Sequence, residues 1–172
     1  MKIEYELRLD DVVALQKHLL RNSKKHTQLK FLTQLLVPFA LAGIVAYKIM
    51  NQATLTQWQI FLFGGLALLW IVLHQLFFEK IVFAKVQKTV AAQAHALGLG
   101  KNSVEITDAG LNFQQNEEQL LLPWKRFVRL DETATHLFLV VGEFAGITVS
   151  KETAQTKDFS KFVAAFQKHL EA

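Results

Sequence analysis

No aspartate or glutamate stands between Asp11 and Glu79, and that gap holds two uncharged apolar runs. Phe31 to Tyr47, FLTQLLVPFALAGIVAY, is 17 residues long, and Ile60 to Phe78, IFLFGGLALLWIVLHQLFF, is 19. A membrane-spanning helix takes roughly 17 to 25 residues, so both runs are long enough. The second holds 13 Leu, Ile, Val or Phe residues, each worth about −0.3 to −0.6 kcal/mol on insertion. The first holds nine and carries Gln34 and Pro38, which makes it the weaker span and one that leans on its neighbour. A soluble helix shows a polar face at a period of 3.6, and neither run has one. The chain therefore reads as a membrane hairpin joined to soluble parts.

Charge placement gives the orientation. Lys17, Arg21, Lys24, Lys25 and Lys30 precede the first run, Lys80, Lys85 and Lys88 follow the second, and the intervening loop holds only Lys48. Basic residues mark the cytoplasmic side, so both termini are expected in the cytoplasm of a bacterial cell, with a multi-pass hairpin in the inner membrane. Tyr47 and Trp58 fall where interfacial aromatics belong. The net charge of +4 is accounted for by this asymmetry and does not call for nucleic acid. Gly43 on the first run and Gly64 and Gly65 on the second are expected to let the two backbones approach closely. His74 and Gln75 are the strongly polar pair inside the second run and form a candidate intramembrane polar site.

The remaining sequence is ordinary soluble protein. Lys2 to Arg8 alternates polar and apolar residues, the mark of a half-buried strand. Asp10 then suits the N-cap of a basic amphipathic helix to about Ser23. A lone strand needs a partner, so residues 1–30 are expected to pack with the C-terminal part. After the hairpin (31–78) a stalk helix continues through 79–97 to Gly98 and Gly100, giving a segment 79–100. Residues 101–172 then form a domain of short strands. Turns are expected at Asp108-Ala109-Gly110 and Asn116-Glu117. Leu120, Leu122 and Trp124 are expected to share a strand face, and further strands follow at Phe127–Leu130, Leu137–Val141 and around Ile147 and Val149. A helix from about Asp158 carries Phe159, Phe162, Val163, Phe166 and Leu170 as one stripe. Strands closed by one helix predict an α+β architecture, a pleckstrin-homology-like β-barrel or bent sheet sealed by the C-terminal helix.

IEYEL, Asp10-Asp11 with a short basic helix, two spans, EIT-x-x-G-L, PWKRFVRL, HLFLVV and a hydrophobic-Ser-Lys step into a Phe-rich helix together resemble the YcxB-like membrane proteins of bacteria. The resemblance covers nearly the whole chain. Where that family carries Ile-Pro-Lys before its last helix, this chain has Val149-Ser150-Lys151. The resemblance implies a membrane protein with a cytoplasmic pleckstrin-homology-like domain and supplies no biochemical activity.

Catalytic patterns are absent from the sequence. There are no cysteines, which excludes thiolate chemistry, Cys-ligated zinc and disulfides. Ser23, Ser103, Ser150 and Ser160 lack a nucleophile-elbow context, and no H-E-x-x-H or phosphate-loop pattern occurs. No cofactor, catalytic residue or metal ligand is assigned. Lys125, Arg126 and Arg129 form a basic cluster in or beside one strand, a candidate contact for anionic lipid or a protein partner, with an ordinary exposed strand edge as the competing reading. The expected function is a membrane-anchored, non-catalytic adaptor or regulatory protein whose candidate partners are the bilayer, a protein and a second copy. The alternatives are an immunity-type protein against a membrane-acting toxin and a transport accessory subunit.

Overall fold

The computed structural model describes all residues except 53, 116–117, 157–158 and 171–172. The turn expected at Asn116-Glu117 and the helix start expected at Asp158 thus lie outside the described residues. The chain divides into two compact units, Met1–Asn22 with Val86–Ala172, and Ser23–Lys85.

In the first unit, β1 (Lys2–Leu7) buries Ile3, Tyr5 and Leu7 and leaves the residues between them wetter, as strict alternation requires. It pairs antiparallel with β2 (Gly100–Thr107), from Lys2 opposite Glu105 to Leu7 opposite Gly100. The strands β3 (Gly110–Gln115) and β4 (Glu118–Pro123) continue the meander, giving a four-stranded sheet in the order β1-β2-β3-β4. Gly110 is required at the β2–β3 turn, because its φ is 156° and a Cβ there would collide with the Leu122 carbonyl. A second sheet holds β5 (Arg129–Glu132), β6 (His136–Val140) and β7 (Gly146–Ser150) in that order.

The main core lies on Ile3, Leu7, Val104, Leu111, Leu137, Leu139 and Val149, and α4 (Ser160–Leu170) inserts the fully buried Phe162 and Phe166 into it. Burying an aromatic of this kind is worth about 1.5–3 kcal/mol by area removed from water. The helix α1 (Leu9–Arg21) sets Leu15 and Leu19 against Phe138 and Val140, on the other face of the three-stranded sheet. That helix begins earlier than Asp10 as N-cap implies. Arg8 is the N-cap, and its backbone N–H donates to the Asp11 carboxylate at 2.8 Å, so the acid three residues on satisfies the helix start.

The strands do not close into a barrel, which corrects the closed form of the expectation. Pro123 lacks an N–H, and the following 3-10 turn, Trp124–Arg126, redirects the chain, so β4 and β5 belong to separate sheets. The same turn removes Trp124 from the strand face expected for it. Leu122 is buried, but Leu120 is exposed. The run Phe127–Leu130 begins pairing at Val128, whose N–H donates to Val140 O at 2.8 Å, ahead of β5.

The second unit contains α2 (Lys24–Met50) and the greater part of α3 (Gln57–Ala92). Both are long and apolar enough to cross a membrane. The Ser23 hydroxyl caps α2, accepting from the His26 N–H at 3.4 Å. Lys30 meets Glu79 at 2.9 Å, Thr33 meets His74 at 2.9 Å and Lys48 meets Gln59 at 3.2 Å, so the two helices run antiparallel. Gly43, Gly64 and Gly65 do not mark a close approach, since a Cβ at each would meet nothing within 4 Å. Polar side chains, rather than small ones, make the specific contacts here. The α3 helix ends at Ala92, short of Leu97, and a 3-10 turn at Ala94–Ala96 follows.

Candidate functional site

The basic turn between β4 and β5 is pinned from beneath. The Trp124 indole N–H donates to Thr107 O at 3.2 Å, and the ring stacks on His169 with centroids 4.4 Å apart and planes 6° apart. Phe166 meets the same ring edge-on at 5.3 Å. Indole and imidazole together fix the first residue of the turn to α4 and to the end of β2. Lys125 and Arg126 follow immediately, are exposed, and make no ion pair among the described residues.

Arg129 belongs to a different arrangement. Its Nε donates to Asp131 Oδ2 at 2.7 Å, and His18 of α1 reaches the same oxygen at 2.8 Å. Burial pushes the Asp131 carboxyl up, but the hydrogen bonds from Arg129 and His18 outweigh it and hold the group below its ordinary value. The structure therefore brings Lys125 and Arg126 together and spends Arg129 on an internal pair. A strand would have set Lys125 and Arg129 on one face; the 3-10 turn breaks that alternation.

A second histidine–carboxylate pair escaped sequence reasoning altogether. His136 of β6 meets Asp11 of α1 at 2.8 Å, and His18 and His136 both stack on Phe138, at 4.6 and 5.4 Å. Asp11 and His18 lie two helical turns apart on α1, so one face of that helix presents an acid and an imidazole to their complements on the sheet. The partners are separated by 125 and 113 residues, and no local spacing signals such a match. The Thr135 hydroxyl lies 2.8 Å from His136 Nδ1, on the ring nitrogen opposite the Asp11 contact, and among the described residues no three His, Asp or Glu side chains converge on a metal-sized site.

An open groove of about 550 Å³ runs along Glu132, Lys151, Phe159, Val163 and Gln167. Its cation is already engaged, because Lys151 Nζ donates to Glu132 at 2.6 Å and to Thr133 O at 2.8 Å and lies over the Phe159 ring. Such a groove offers a surface and no assembled acid–base pair.

In the helical unit His74 is 8% exposed, while Gln75 beside it is exposed. Thr33 Oγ1 donates to Leu29 O at 2.8 Å, which leaves the hydroxyl to accept from His74 Nε2–H at 2.9 Å. The other ring nitrogen, His74 Nδ1, is buried without a partner among the described residues.

Taken together, the features describe a two-sheet α+β domain with a rigidly based cationic turn, carried on a chain with two long apolar helices. Residues 106–166 match the family model described as YcxB-like protein, the family that the motifs resemble. No curated protein and no solved structure matches the chain.

Proposed function

We propose that this is a membrane-anchored, non-catalytic adaptor or regulatory protein of the bacterial inner membrane, whose cytoplasmic domain contacts anionic lipid headgroups or a protein partner through the Lys125–Arg126 turn. The observation that carries the reading is the exposure of these two cations on a turn whose base is locked by Trp124. A cation held on a rigid base loses little side-chain and loop entropy on contact. Near an anionic surface each positive charge contributes about 1 kcal/mol, or roughly a factor of five.

Two further features support the reading. A division into four strands and three strands, followed by a C-terminal helix, suits a pleckstrin-homology-like domain. The helical unit exposes Phe31, Leu32, Leu36, Phe39, Ile60 and Phe61, a surface suited to lipid and poorly suited to water.

Full-length protein in zwitterionic nanodiscs, mixed with anionic vesicles and separated by flotation, tests this. Capture is expected to fall about fivefold for Lys125→Ala and by a similar factor for Arg126→Ala, and to fall with salt as a screened interaction does. Arg129→Ala is expected to change capture much less. Strong preference for one headgroup that survives high salt contradicts a diffuse cationic contact.

A further inference from the structure

The two edges of the four-stranded sheet are treated differently, and the backbone parity shows how. Met1 and Ile106 exchange backbone bonds, with the terminal amine 3.3 Å from Ile106 O and Ile106 N 2.9 Å from Met1 O. Hydrogen-bonded and non-hydrogen-bonded pairs alternate along an antiparallel ladder. Even-numbered residues of β2 therefore bond β1, and its odd-numbered residues bond β3. The register carries this forward through Thr107–Gly110, Glu105–Asn112 and Ser103–Gln114, then through Leu111–Leu122, Phe113–Leu120 and Gln115–Glu118. On β4, Glu118, Leu120 and Leu122 bond inward, while Gln119 and Leu121 turn their N–H and C=O groups outward.

On β1 the same count leaves Lys2, Glu4 and Glu6 facing out, and the latter two are capped. Gln155 N donates to Glu4 O at 3.0 Å, Thr153 Oγ1 donates to Glu6 O at 2.7 Å, and Glu6 N donates back to Thr153 Oγ1 at 3.3 Å. No residue does this for β4 among the described residues. Its side chains add to the mismatch, since Leu120 is 54% and Leu121 50% exposed. An edge strand left with free backbone groups and apolar side chains is a template for another strand.

We propose that the occupant is a second copy of this chain, its β4 pairing antiparallel with the first across a twofold axis centred on Leu120. In this register Gln119 of each copy forms a hydrogen-bonded pair with Leu121 of the other, giving four backbone bonds. The two Leu120 residues sit opposite one another as the close, non-hydrogen-bonded pair, with Cα atoms about 4.5 Å apart. Sliding toward the strand end sets Gln119 against Pro123, which has no N–H to give. Charge favours the antiparallel sense. The strand opens at Glu118 and leads into Lys125 and Arg126, so the acidic start of one copy lies toward the basic end of the other, with no charge at the centre. A twofold, isologous contact closes at a dimer and leaves no β4 edge exposed.

The chain has no cysteine, so a single introduced thiol reports on its own copy in the partner. Full-length Gln119→Cys, Leu120→Cys and Leu121→Cys, purified in mild detergent and oxidised, are expected to form a disulfide-linked dimer several-fold faster at 120 than at 119 or 121, because a disulfide needs Cα atoms within about 7 Å. Leu120→Asp, an exposed-site change that faces two carboxylates across the axis, is expected to convert the unmodified dimer to a monomer by light scattering. Equal, collision-limited linkage at all three positions, or a wild-type mass of one copy in the micelle, overturns the proposal.

Discussion

The Trp70 indole N–H donates to the Gln34 carbonyl at 3.1 Å, and that carbonyl is the one that Pro38 leaves without a helical partner four residues on. Proline has no N–H to return to position i−4. In an apolar setting such an orphan is costly, so one aromatic on α3 repairs the defect that one imino acid makes in α2. Trp70→Phe is expected to destabilise the helical pair by about 1–3 kcal/mol, the cost of an unpartnered buried acceptor. Introducing Pro38→Ala restores the backbone donor, so the same Trp70→Phe change should then cost distinctly less. Thermal unfolding of the four proteins in detergent gives the coupling, and additive effects would show that the bond is dispensable.

Trp124 ties its turn to β2 through Thr107 and to α4 through Phe166 and His169. Trp124→Ala is expected to cost about 3 kcal/mol, toward the lower end for large-to-small changes because the ring is only partly buried. Trp124→Phe, which keeps most of the packing and loses the N–H, should cost about 1 kcal/mol. Limited proteolysis of full-length protein reads both. A protease-resistant Trp124→Ala variant contradicts this assignment.

Tyr5 is buried in the main core, yet its hydroxyl has no partner among the described residues. Burial also pushes that hydroxyl far above its ordinary value, with the Asp11 charge adding to the effect. Tyr5→Phe removes an unsatisfied polar group and keeps the ring, so stability is expected to stay level or rise by about 1 kcal/mol. A clear loss in a denaturant series would mean that the hydroxyl has a partner.

Asp131 sets a pH dependence. Its carboxyl lies below its ordinary value in the folded state, so the unfolded chain binds that proton more tightly. The stability it contributes is therefore full above the ordinary carboxylate value of about 4 and is lost as pH falls through the folded value. Asp131→Asn is expected to lower the unfolding midpoint near about pH 7 and to converge with wild type as pH falls below the folded value of the carboxyl. A difference that stays constant across that range contradicts the sign.

Much of this architecture is legible in the chain because it rests on local patterns. The alternation from Lys2 to Leu7 announces β1, the acid-free stretch from Lys24 onward announces α2 and α3, and the Phe stripe announces α4. What the local pattern does not carry depends on single residues or distant partners. Pro123 followed by Trp124 looks continuous with an apolar strand, but a missing N–H and an indole bond to Thr107 O turn it into a 3-10 corner. That corner frees Lys125 and Arg126 and commits Arg129 to Asp131. The pairs His18–Asp131 and His136–Asp11 carry no sequence signal, because α1 and the second sheet meet only in the folded chain.

The central claim is that α2 and α3 cross the bacterial inner membrane as a hairpin with the domain in the cytoplasm. Asn51→Cys, in the connection between the two helices, and Lys125→Cys, on the exposed turn, can be introduced singly into the cysteine-free chain and treated with a membrane-impermeant maleimide in intact spheroplasts. The account predicts that Asn51→Cys labels from outside and that Lys125→Cys labels only after lysis. Labelling of Lys125→Cys in intact spheroplasts, or release of the protein by alkaline extraction, would contradict it.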